Sequence, residues 1–194
     1  MHEELWKQLL ELDKKQTAKR AKCQYTPGPE HFVVSLLNTD YTVDLKNQKI
    51  FSCLQKQDAN FLEQLCILAY LINAKDIPLA ENLVKAESFP GGEFFFRGPH
   101  ELPTAKLETT FGDDPALLYK AAKLLNAEKC DHGDTAVKIP VLARLPLVFV
   151  IWAADEEFNA RASILFDQTA ADQLPLDALM AAVNLAVDAL IETS

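Results

Sequence analysis

No stretch of this chain is apolar for long enough to cross a membrane as a helix. The longest such run, residues 145–154, has ten residues and includes Pro146, against the roughly 20 that a spanning helix needs. Glycine is scarce, at six residues, and proline numbers ten, which excludes a collagen-like or low-complexity chain. The cysteines, Cys23, Cys53, Cys66 and Cys130, form no C-x-x-C pair, so neither a zinc ribbon nor a thioredoxin-type motif is present. Basic residues are in deficit: 19 Lys and Arg against 28 Asp and Glu give a formal charge of −9. Nucleic acids and anionic membrane surfaces are both held by Lys and Arg reaching phosphates, so neither is an expected partner. The local signatures of large enzyme classes are missing too, with no Gly-x-Gly-x-x-Gly, no phosphate loop, no Gly-x-Ser-x-Gly and no His-Glu-x-x-His.

What is present is the composition of an ordinary globular domain, 49% hydrophobic and 24% charged, enough to build a core without disulfide or metal staples. The N-terminal residues carry acids and no apolar core, so no secretory signal is expected. A soluble, cytoplasmic protein with free thiols is the reading that follows.

Hydrophobic periodicity predicts a helix over residues 3–23, with Leu5, Trp6, Leu9, Leu10 and Leu12 on one stripe. Its basic second half, residues 14–22, suits the negative end of a helix dipole; the sharper alternative for that run is a patch for RNA or acidic lipid. Three short strands follow, over residues 31–37, 41–45 and 48–53, joined by turn residues as a meander. Asn60 and Glu63 have capping-box spacing, and the helix they open, residues 61–72, is apolar nearly all round and hence central. Residues 74–112 are the least regular part, with residues 82–86 either a short strand or a helical turn. A helix is predicted from Pro115 to about residue 127, capped by Asp114. Two β-rich runs, residues 137–153 and 160–167, are joined by an acidic turn, with Pro140 and Pro146 confining the first run to an edge or a bulge. An amphipathic helix from Pro175 closes the chain. With no repeat, linker or break in composition, residues 1–194 read as a single α+β domain: an antiparallel sheet with helices packed mainly on one face, and helices at both termini.

Chemistry-bearing residues concentrate in two places. The first is residues 88–103, where three glycines, three prolines and four of the eleven phenylalanines meet. An apolar wall with a few polar groups is the usual make-up of a ligand site, so Phe94, Phe95, Phe96, Arg97 and His100 are candidate ligand-binding residues. The plain alternative for His100 is a ring satisfied by a local backbone carbonyl. The second is Cys130-Asp131-His132-Gly133-Asp134, where a thiol, an imidazole and two carboxylates crowd together. Cys130 and His132 are candidate metal ligands, although two ligands fall short of the four of a structural zinc, and an ordinary turn has the same composition. For an enzyme, His132 or His100 is the candidate acid/base catalyst and Asp134 its orienting partner. The acidic run Asp155, Glu156 and Glu157 reads as a solvated tip. Asp167 is expected to cap the turn after its strand, and Cys66 and Cys53 to be small core residues.

The order Phe89-Pro90-Gly91-Gly92, Gly133-Asp134 with Ala136, Leu145-Pro146-Leu147, Trp152, Asp155-Glu156-Glu157 and Leu165-Phe166-Asp167 resembles domain-of-unknown-function family 3786. The likeness runs from about residue 25 to 194. The resemblance implies no established reaction. It implies an origin mainly among anaerobic bacteria and archaea, and a redox or cofactor setting, because some relatives carry an added cysteine-rich iron–sulfur module. The four scattered cysteines of this chain cannot make that module.

Three functions are compatible with these observations. The first is a binding or accessory protein whose pocket, formed by residues 89–103 over the sheet, holds a small planar or apolar ligand. The second is a small hydrolase or transferase using His132 or His100 with Asp134. The third is an interaction module docking through an exposed edge strand or through its first helix, for which Trp6 and Leu9 have to be exposed.

Overall fold

A computed structural model describes residues 2–54 and 56–193. The chain is α+β, with helices at both ends, and every strand pair among the described residues is antiparallel. The strands divide into two sheets where the sequence predicts one.

The predicted first helix is two. α1 (Glu3–Glu11) ends at Leu12, whose backbone is extended, and Asp13 caps α2 (Lys14–Ala21) by accepting from Gln16 N at 2.8 Å. Capping competes with helix continuation because the Asp carboxylate satisfies an amide that the break would orphan. The meander has four strands rather than three: β1 (Gln24–Pro27), β2 (Glu30–Leu36), β3 (Thr39–Asp44) and β4 (Lys49–Ser52), in sequential order. The additional strand is β1, formed in the segment between the predicted first helix and the predicted first strand. Leu37 and Asn38 make the β2–β3 turn, both at positive φ (50° and 61°), as a tight hairpin connection requires.

α3 (Phe61–Asn73) carries the predicted capping box, with Glu63 N donating to Asn60 Oδ1 and Asn60 N to Glu63 Oε2. Its residues 66–71 are all buried, which confirms it as the central helix. It packs against α1, α2 and α8 (Leu176–Glu192), and Tyr70 donates from its hydroxyl to the Ala21 carbonyl.

The second sheet runs in the order β5-β9-β8-β7-β6, with β5 Leu83–Val84, β6 Glu128–Cys130, β7 Thr135–Leu142, β8 Leu145–Trp152 and β9 Arg161–Asp167. Pro140 and Pro146 face one another across the β7–β8 hairpin, at a register shift between Pro140 and Leu142. β6 pairs with β7 only as far as Lys138, and β9 pairs with β8 only from Leu147. The missing proline N–H groups therefore fall outside the neighbouring ladders, as the bulge expectation required. One face of this sheet, including Val137, Ile139, Leu147, Phe149, Ile164 and Phe166, joins the helices and the meander in a continuous apolar core; the other holds a small cluster of Ala136, Val148 and Val150.

Among the described residues there are four further α-helices: α4 (Gly92–Phe95), α5 (Thr104–Phe111), α6 (Ala116–Ala122) and α7 (Ala170–Gln173). α5 lies in the segment read as irregular, and its Leu107 and Phe111 are fully buried at i, i+4 spacing. α6 is shorter than predicted, passing into a 3-10 turn over Lys123–Leu125. The two sheets are tied together by Leu37 N donating to Val141 O. The β7–β8 turn is tied to the N-terminal half by Arg144, which is buried. Its Nε donates to Arg20 O at 2.6 Å, one terminal nitrogen to Ile77 O at 2.7 Å and the other to the Asp76 carboxylate. Among the described residues no helix is long and apolar enough to cross a membrane.

Candidate functional site

The aromatic segment is anchored at two points. Phe89 is buried and meets Phe166 of β9 edge-on, ring centroids 5.5 Å apart. Phe96 is buried beside the same ring at 6.5 Å. Between them the chain turns through Gly91 and Gly92. A Cβ on Gly92 would stand 2.2 Å from the Ala86 carbonyl oxygen, so glycine is required for this approach. The short helix α4 then holds Phe94 outward, 80% exposed, with the Arg97 guanidinium 5.8 Å from its ring centroid. Arg97 also donates to Glu93 Oε1 at 2.8 Å. Phe95 meets Phe96 edge-on and stacks with His100 in parallel, 4.7 Å between centroids and 5° between planes.

The residues picked out from the sequence are thus brought together, but as a projection more than a cavity. At its base, Phe96, Glu101, Leu102 and Thr104 meet Lys85, Glu87 and residues 162–164 of β9 around a depression of about 210 Å³. His100 is exposed, and its ring partner is Phe95 rather than a backbone carbonyl.

The second cluster is a turn between β6 and β7. Gly133 adopts φ +55°, and a Cβ there would lie 2.7 Å from Val150 Cγ1 and 2.8 Å from the Ile151 oxygen. Asp134 uses its Oδ2 to accept from Ala153 N at 2.8 Å, and its own N–H donates to Ile151 O. The carboxylate thereby terminates β8. His132 is exposed. Cys130 packs beside Ala136 and Val148, and partial burial pushes its thiol pKa up, with Lys138 opposing more weakly. That is the reverse of an activated thiolate. Among the described residues no three His, Cys, Asp or Glu side chains gather to hold a metal.

His100 is not joined to this turn. The aromatic segment rests on the sheet face that carries Phe166, whereas Gly133 rests on Val150 of the opposite face. A proton relay needs hydrogen-bond reach, and a layer of β-sheet stands between the two. Trp6 and Leu9 are buried in the core, which removes the reason to see the first helix as a docking element. Cys66 is buried as expected, but Cys53 is exposed on the turn after β4, because Ile50 and Ser52 take the inward positions of the strand and the next residue faces out.

A second, larger concavity of about 820 Å³ lies where the β2–β3 turn, the start of α3, the turn at Leu124 and the end of α8 converge. Its walls come from four segments far apart in sequence, so no local motif announces it.

Comparison with known proteins yields one assignment. The family model described as a domain of unknown function (DUF3786) matches residues 13–189, and the chain belongs to that family. No curated protein and no solved structure matches it.

Proposed function

We propose that this protein is a binding or accessory module whose ligand face is the anchored aromatic turn of residues 94–100. One observation carries the reading. Phe94 is 80% exposed on a turn that Phe89 and Phe96 pin to the sheet. A large apolar ring held outward on a fixed backbone costs little ordering entropy on binding, and aromatic and Arg side chains dominate binding energy at interfaces. A planar, partly apolar small molecule of cofactor type fits this face, stacking on Phe94 beside Arg97. Lys85, Glu87 and Glu101 around the depression at its base supply orienting polar groups. That depression, about 210 Å³, is smaller than the roughly 300–1,000 Å³ of an enclosing ligand pocket, so part of the ligand stays exposed.

The test is anoxic purification followed by native mass spectrometry and an absorption spectrum. The wild-type protein is expected to retain a non-protein species that Phe94→Ala and His100→Ala lose, with circular dichroism and melting unchanged. Equal retention by the variants, or a wild-type protein that retains nothing, refutes the proposal.

A further inference from the structure

The 820 Å³ concavity has a composition distinct from that of the aromatic turn. One wall is a stripe of α8 formed by Leu185, Asp188, Ala189 and Glu192, which are i, i+3, i+4 and i+7 and so share one helix face. Phe61 stands opposite, 51% exposed, and Leu124 closes the third side at 67% exposed. Large apolar side chains left this open in one concavity mark an interaction site more often than scattered surface residues do.

The polar lining has one sign. Glu63, Asp188 and Glu192 line the groove, and no Lys or Arg does. Glu63 is held in place, accepting from the Tyr41 hydroxyl at 2.7 Å and from Asn60 N at 2.7 Å. Asp188 has a cation beside it, Lys106 at 2.8 Å, approaching from α5. The last turn of α8 contains no basic residue, and Glu192 sits within it. A carboxylate there faces the negative end of the helix dipole and is unfavourable until a cation is supplied. α2 shows the ordinary arrangement, with Lys19 and Arg20 in its last turn. Asp188 is thus neutralised from within the chain, while Glu63 and Glu192 form no ion pair with a Lys or Arg among the described residues, so the groove combines apolar seats with two uncompensated carboxylates.

We infer that this groove docks a cationic amphipathic helix of a partner protein. The α8 stripe from Leu185 to Glu192 extends about 10 Å at 1.5 Å per residue, which is two turns of a helix lying alongside. Such a helix places apolar side chains at i, i+3 or i+4 and i+7 between Phe61, Leu124 and Leu185, and its flanking Lys or Arg residues meet Glu63 and Glu192. The site is independent of the aromatic turn, and neither proposal requires the other.

The probe is a fluorescein-labelled 14-residue peptide of Leu and Lys patterned as an amphipathic helix, with a scrambled peptide of identical composition as control. Binding is followed by fluorescence polarisation at two salt concentrations, and the binding surface is mapped by amide chemical-shift perturbation. The patterned peptide is expected to bind at least tenfold more tightly than the scrambled one. It is expected to shift amides in residues 37–39, 61–63, 124 and 185–193. Leu124→Glu and Glu192→Lys each weaken it at least tenfold, while Phe94→Ala leaves it unchanged. Equal affinity for both peptides, shifts confined to other surfaces, or full affinity in both groove variants overturns the inference. Both substitutions lie at exposed positions, and circular dichroism establishes that each variant is folded.

Discussion

Replacing Asp167 with asparagine is expected to cost a large part of the stability of this protein, with a pH dependence that identifies the cause. Asp167 is buried at the end of β9, and its Oδ1 accepts from Ala80 N at 3.1 Å, Thr169 N at 2.9 Å and Thr169 Oγ1 at 2.6 Å. Its Oδ2 accepts from Glu81 N at 2.8 Å. Burial alone raises its pKa, but the bonds from Thr169, Ala80 and Glu81 together outweigh burial, and the net shift is downward. In Asp167→Asn the amide nitrogen replaces an acceptor and points a donor at the Glu81 N–H or one of its neighbours. The remaining bonds lose their charge assistance. One lost bond to a charged acceptor plus an opposed donor pair comes to about 2–3 kcal/mol. For a chain of this size that is about 4–12 °C in melting temperature. The sign with pH follows from the depressed pKa: the stabilisation is complete above the unfolded value of 3.8 and fades as pH falls through the lower folded value. Urea titrations of both proteins between pH 7 and pH 3, followed by circular dichroism, should show a gap that is full at pH 7 and narrows toward pH 3. A variant as stable as wild type at pH 7, or a gap of constant size across the range, refutes the reasoning.

Arg144→Ala leaves the Arg20 and Ile77 carbonyls without their donor and releases the Asp76 carboxylate; a loss of about 3–5 kcal/mol in urea unfolding is expected, and a loss below about 1 kcal/mol contradicts it. Gly133→Ala is expected to cost about 2 kcal/mol or more in thermal unfolding. Gly133→Asn, although tolerant of left-handed backbone, should rescue nothing, because the Cβ itself meets Val150 and Ile151; recovery with Asn shows that the backbone angle alone is at stake. In thiol titration at pH 8, exposed Cys53 should react first. Cys23, pushed up to about 12 by burial, Cys66, raised further by burial, and Cys130, raised by burial as well, should lag, and rapid labelling of Cys130 in a Cys53→Ser variant contradicts its description as a packed thiol.

The elements that were legible in the sequence are those whose stability is local or whose burial is complete. α3 announces itself through the Asn60–Glu63 capping box and an apolar run; residues 137–153 announce themselves as β-rich, but read as one run they hide the turn that splits them into β7 and β8. The break at Asp13 was hidden because Leu5, Leu9 and Leu12 hold the helical period right up to it, and a cap wins over continuation only through its hydrogen bond to Gln16. Residues 74–112 resisted for a different reason. Their conformation is fixed by partners far along the chain: Ala80 and Glu81 by Asp167, Phe89 and Phe96 by Phe166, Lys75 N by the Gln173 side chain. No window of local sequence contains both halves of such contacts. The division into two sheets was invisible likewise, since which strands share a sheet is set by tertiary pairing that no local window contains.

The candidate site follows the same logic, with a twist. Polar residues conspicuous in the sequence turn out to be occupied in satisfying backbone: Asp134 ends β8, Asp167 holds the loop before β5 and Glu63 caps α3, and Arg144, which the sequence did not single out, bonds two carbonyls. A buried N–H or carbonyl left unpaired is costly, so a chain with short strands and many turns spends charged side chains on its own main chain. Richness in chemical groups therefore marks structural work in this fold. The faces proposed for binding carry the opposite feature, apolar surface that the fold holds open. Phe94 was identifiable because glycines, prolines and aromatics cluster locally around it. Phe61 and Leu124 were not, since each is an unremarkable residue at the end of its own helical segment. Only the tertiary fold brings them beside Glu63 and Glu192, and only there do apolar seats meet carboxylates that no Lys or Arg among the described residues pairs.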